Sequence, residues 1–127
     1  MFSSLEYTIK WVHSVLGYRT STHVPRDADG MALVRDKKFC IVERTGGELD
    51  YPHDSPSFAV QIWSQSESDA EQDANILAIA TKTVPMNDYH INAVGIPDVL
   101  SYGLMEGGWF VWQVNLDLEV NLLDKSN

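Results

Sequence analysis

The sequence predicts one domain of mixed helix and strand, of the α+β type, and three observations carry that expectation. Two segments repeat apolar residues at helical spacing, one within the first sixteen residues and one after Ser66. Near the C-terminus every second position from Phe110 to Leu122 is apolar, the pattern of a strand with one buried face. The chain of 127 residues, 44% hydrophobic and 21% charged, suits a single core spanning 1–127. A chain of that size buries roughly two-thirds of its unfolded surface, which excludes global disorder.

The first helix opens at Ser3, with Glu6 at capping-box distance, and runs to about Leu16. Leu5, Ile9, Val12 and Leu16 form its apolar stripe, and Gly17 is a suitable stop. Arg19 to Val24 reads as a short strand ended by Pro25, Asp27 to Gly30 as a turn, and Met31 to Asp36 as a linker. Phe39 to Arg44 is a strand bounded by Gly46 and Gly47. From Gly46 to Pro56, two glycines, two prolines and three acids read as a loop. Ser57 to Ser64 alternates Phe58, Val60 and Ile62 against Ala59, Gln61 and Trp63, a second strand antiparallel to the first.

Ser66 begins the second helix, with acids in its first turns where the helix dipole favours them. Ala70, Ala74, Leu77, Ala78 and Thr81 line its packing face, and Pro85 ends it. His90 to Val94 is a short strand and Ile96–Asp98 a turn. The closing strand is the strongest signal. Its thirteen residues at about 3.3 Å each span roughly 43 Å, so it is expected to overrun its own domain or to bend sharply. There is no internal repeat.

Charge and cysteine content narrow the function. Nine Lys and Arg stand against eighteen Asp and Glu, a net −9. Residues 1–44 carry +2 and residues 45–127 carry −11. Such a chain is a poor general nucleic-acid binder, because affinity for phosphate comes largely from cations that displace counterions. The single cysteine, Cys40, excludes an intramolecular disulfide framework and fits assembly in a reducing compartment. No apolar run reaches the length of a membrane span, and the first ten residues lack the order of a secretion signal.

The search for chemistry finds no catalytic, cofactor or metal residues. Cys40 lies mid-strand between Phe39 and Ile41, where a buried thiol is inert. His13, His23, His53 and His90 are scattered and never at zinc-helix spacing. Glu48, Asp50, His53 and Asp54 cluster in one loop, which leaves a metal-dependent hydrolase as a minor alternative to a solvated acidic loop. The glycine pairs 46–47 and 107–108 lack the Lys-Ser/Thr of a phosphate cradle. Trp11, Trp63, Trp109 and Trp112 are many for this length. Core packing and subunit contact are both open for them, and a small-ligand domain with Trp63 as pocket wall is a further alternative.

One ordered set of pieces points further. The run Phe39-Cys-Ile-Val-Glu-Arg-Thr-Gly-Gly47, then Asp54-x-Pro56, then Phe58-Ala-Val-Gln-Ile-Trp63, then a helix from about Ala70, resembles the tail terminator (tail completion) proteins of long-tailed bacteriophages. The opening helix, the loop at Val24–Pro25 and the long closing strand fit the same layout, so the likeness covers nearly the whole chain. The resemblance implies an α/β fold of the α+β type, with a mainly antiparallel sheet flanked by helices. It implies a virion protein without an active site, assembled in the host cytoplasm into a hexameric ring. That ring would cap the tail tube, meet the tube protein and a head-completion or neck protein, and pass DNA without binding it. Another ring of the neck is the neighbouring possibility. Under this resemblance Arg44, Thr45, Gly46, Gly47, Trp63, Trp109 and Trp112 are expected at subunit interfaces. Arg44 would pair with an acid of its own chain or of a neighbour. Asp117 and Glu119 are expected to face the lumen.

Overall fold

The computed structural model describes residues 1–26, 37–105 and 107–124. The described residues form two helices and six strands in one α+β domain. The turn expected at 27–30 and the linker expected at 31–36 lie outside the described residues.

Helix α1 (Ser4–Leu16) begins and ends where its caps dictate. The Ser3 hydroxyl accepts the Glu6 backbone N–H at 3.1 Å. Gly17 takes the left-handed φ of 79° and donates its N–H to the His13 carbonyl at 2.8 Å. Helix α2 (Glu67–Thr83) is capped by Ser66 and buries Ala70, Ala74, Leu77 and Ala80. Three alanines on that face let the helix backbone approach the sheet closely. The Trp11 indole N–H donates to the Val84 carbonyl at 2.8 Å and ties α1 to the end of α2.

The strands are β1 (Thr20–Ser21), β2 (Lys38–Asp50), β3 (His53–Ser64), β4 (Ile91–Val94), β5 (Asp98–Met105) and β6 (Trp109–Asn121). They form a sheet in the order β1-β2-β3-β6-β4, with β5 also on β6; among the described strands only the β1–β2 pair is parallel. Both helices pack on one face. There Val12, Val42, Phe58, Val60, Ile62, Leu77, Val114, Leu116 and Leu118 form the main core. Among the described residues no helix is long and apolar enough to cross a membrane.

Two expectations from the sequence are corrected. The segment 46–56 is not a loop: β2 continues to Asp50, a turn at Tyr51–Pro52 follows, and β3 starts at His53. A bulge at Thr45 absorbs the break in alternation, with its neighbours Arg44 and Gly46 opposite Phe58 and Ser57. Gly47 has φ 110°, and a Cβ there would sit 2.1 Å from the Ser55 carbonyl oxygen, so only glycine admits this close approach. Pro56 is tolerated in β3 because the β3–β6 register skips Ser55 and Pro56.

The second correction concerns β6, which does not overrun the domain. It is an inner strand, paired with β3 along one side and with β5 and then β4 along the other. Two shorter strands in succession match its length. Strand β5 follows the turn expected at 96–98, in a stretch where the sequence predicted no element; a bulge between Ser101 and Gly103 breaks its alternation.

Candidate functional site

The sheet has two faces of different chemistry, and the one without helices is the candidate site. Directly paired residues point to the same side, so the register assigns each side chain to a face. Ala59, Gln61 and Trp63 of β3 share the open face with Asn115, Gln113 and Val111 of β6. Ile41 and Phe39 of β2 and Asp98 and Leu100 of β5 extend it to both sides.

At one end this face carries a small aromatic cluster. Trp109 is buried to 1% exposure, its ring centroid 5.0 Å from Phe39 and 6.3 Å from Trp63. Phe39 and Trp63 stack at 5.3 Å, and Ile41 and Val24 complete the cluster. From there a line of polar side chains runs along the face. The Trp63 indole N–H donates to Gln61 Oε1 at 3.2 Å, the Gln61 amide to Gln113 Oε1 at 3.3 Å, and the Gln113 amide to Asn115 Oδ1 at 2.7 Å. Beyond it two hydroxyls meet two carboxylates: Ser57 donates to Asp117 at 2.6 Å and Ser55 to Glu119 at 2.7 Å.

The far end is acidic. Glu43, Glu48, Asp50, Asp98, Asp117 and Glu119 all fall on this face by register or hydrogen bonding, and all six are exposed. The two basic residues within described strands, Lys38 and Arg44, stand on the opposite face, across from Ser64 and Phe58. Like charges sharing one face raise a negative potential over it, which repels polyanions and lowers their local concentration.

The expected interface residues divide three ways. Trp109 is corrected to a core residue: its ring is filled in by Phe39 and Trp63 and has no surface for a neighbour. Trp63 and Trp112 are half-buried, Trp63 in the aromatic cluster and Trp112 against the main core. Thr45, Gly46 and Gly47 are exposed at the bulge of β2. Arg44 forms its pair within the chain, a bidentate contact with Asp54 at 2.8 Å on both nitrogens. The carboxylate raises the Arg44 pKa further above its ordinary value, first through these hydrogen bonds.

The acid and histidine cluster of 48–54 does not converge. Asp54 is buried on the helix-covered side under Arg44, whereas Glu48, Asp50 and His53 lie on the open face. Strand alternation separates what a loop would have gathered. Among the described residues no group of three or more His, Cys, Asp or Glu is placed to hold a metal ion. Cys40 is fully buried, and burial pushes its thiol up to about 12, far from a reactive thiolate.

Asp117 and Glu119 are exposed on the uncovered face. The partners that sequence reasoning missed are Ser55, Ser57, Glu43 and Asp98. Ser55, Ser57, Ala59, Gln61 and Trp63 keep period two, a signal that would have extended β3 by two residues toward its start at His53. Comparison with profiles of known protein families finds no match, and comparison with curated protein sequences finds none either.

Proposed function

We propose that this chain is a structural virion protein that closes the end of a phage tail tube as a hexameric ring and forms part of the joint to the head. The observation that carries the proposal is the one-sided sheet, with helices covering one face and six carboxylates spread over the other. A ring that turns this face inward presents passing DNA with a wall that repels phosphate and offers no cations to displace its counterions. The Arg-Thr-Gly-Gly run of 44–47 and the Val-Gln-x-Trp run of 60–63 support the same reading through their likeness to tail terminators. On this proposal the tail tube protein and a head-completion or neck protein are the partners, and the chain carries out no chemistry of its own.

The test is to incubate the purified chain with tail tubes lacking their terminal cap and to separate tubes from free protein by sedimentation. Cosedimentation at about six copies per tube, saturating with tube ends rather than tube length, is the expected result. Binding along the whole tube, or none, would overturn the assignment.

A further inference from the structure

Strand β2 has a covered half and a bare half. Strand β1 pairs with its outer side only at Cys40 and Ile41. Beyond Ile41, β3 is its one partner among the described strands. All eight residues from Glu43 to Asp50 are exposed. In an antiparallel pair about half of a strand's main-chain N–H and C=O groups turn away from the partner. This stretch therefore offers a ladder to any strand that comes alongside. Leu49 and Tyr51, 63% and 62% exposed, add apolar groups that favour such a contact. In the purified protein, the strand that meets this edge most often is the same edge of another copy.

The side chains oppose that meeting. Glu43, Glu48 and Asp50 fall on one face, across from Ala59, Ser55 and His53. None of the three has a hydrogen-bond or ion-pair partner among the described residues. The one base of the stretch is held within its own chain. Arg44 grips Asp54 with both terminal nitrogens at 2.8 Å and donates from Nε to the Gly46 carbonyl at 3.1 Å. The next Lys or Arg in the chain is Lys82. Two copies joined antiparallel along β2 are related by a two-fold axis through the sheet and keep their open faces on the same side. Their carboxylates would then line one seam, with each Arg44 already engaged, and like charges facing each other across a strand pair are destabilising.

We propose that Glu43, Glu48 and Asp50 are an electrostatic guard on the β2 edge: they keep free copies from zipping together there, and removing their charge turns the edge into a self-pairing strand. The bulge at Thr45 and the positive φ of Gly47 twist the same edge and work in the same direction. The guard acts in the free chain and needs no ring. A symmetric edge contact uses itself up in a closed pair, so on the ring proposed above the guard keeps copies available for assembly.

The test compares the unaltered chain with a variant carrying Glu43→Gln, Glu48→Gln and Asp50→Asn. Sedimentation velocity over a concentration series reads association, and hydrogen exchange followed by mass spectrometry reads the 43–50 segment. The variant is expected to self-associate roughly tenfold more tightly, the effect of several like-charge pairs removed together. Its 43–50 amides should exchange several-fold more slowly as it associates. Raised salt should move the unaltered chain the same way, because it screens exposed charge, and this arm needs no substitution. Equal association of the two proteins would overturn the proposal, as would association that leaves exchange in 43–50 untouched, or an unaltered chain whose 43–50 exchange ignores salt. Failure to cap tail tubes would count against the ring and not against the guard, which exchange in 43–50 decides.

Discussion

The bidentate pair of Arg44 and Asp54 fastens the distal half of the β2–β3 hairpin to the helix-covered face. Asp54 is 4% exposed, so removing its charge takes away the carboxylate that the Arg44 guanidinium grips with both nitrogens. Because the arginine is partly solvated, the expected loss for Asp54→Asn is about 2 kcal/mol, below the range for a fully buried pair, measured by urea unfolding. Arg44→Lys should lose part of it, since an ammonium cannot reproduce the two parallel hydrogen bonds. Cys40 supplies a second check at this scale: its thiol should resist a thiol reagent in the folded protein and react fully in denaturant. Asp88 supplies a third. Its carboxyl is held below the ordinary 3.8, first by the backbone N–H of His90 and also by the His90 ring. A depressed folded pKa gives stability that is present above about pH 4 and lost as pH falls through the folded value. Asp88→Asn should therefore flatten the acid limb of the stability profile and leave the neutral region's slope unchanged. The Arg44–Asp54 pair was not legible from the chain, because its acid lies among glycines and prolines that read as a loop until cross-strand pairing places it.

At the scale of elements, capping chemistry and period made both helices and β6 legible to within a residue or two. Ser3, Gly17 and Ser66 act locally, so their signal survives in the sequence. Strand β5 and the distal hairpin did not show themselves for the opposite reason. Bulges at Thr45 and near Gly103 shift the alternation by one, and only the neighbouring strand reveals that pairing resumes. Trp109 belongs here as well: whether a tryptophan on the second face of β6 is core or surface depends on Phe39 and Trp63, which come from two other strands. Trp109→Ala should cost about 3–5 kcal/mol, the range for emptying a buried aromatic site. Trp63→Ala, at a half-buried position, should cost roughly half as much. Thermal unfolding of the two variants would check the order, and an equal or reversed cost would contradict the assignment of Trp109 to the interior.

For the whole molecule, the division into a helix-covered face and an acidic face is what gives the proposed ring its inside and outside. Asp117→Lys combined with Glu119→Lys should leave the fold intact, since both side chains are exposed and bonded only to surface hydroxyls. The same change should raise affinity for duplex DNA at low salt, with the gain vanishing as salt rises; gel-shift titration against the unaltered protein reads this directly. The polarity of the charge was visible in the sequence as +2 against −11, but its meaning was not. It became spatial only when cross-strand register placed Glu43, Glu48, Asp50, Asp98, Asp117 and Glu119 on one face of the sheet. The central claim is self-assembly into a closed ring, and absolute mass by light scattering over a concentration series, with electron micrographs of the large species, tests it most directly. Six subunits in ring-shaped particles, formed by the chain alone or on the ends of uncapped tubes, is the predicted result. Monomers throughout, with tube ends left bare, would contradict it.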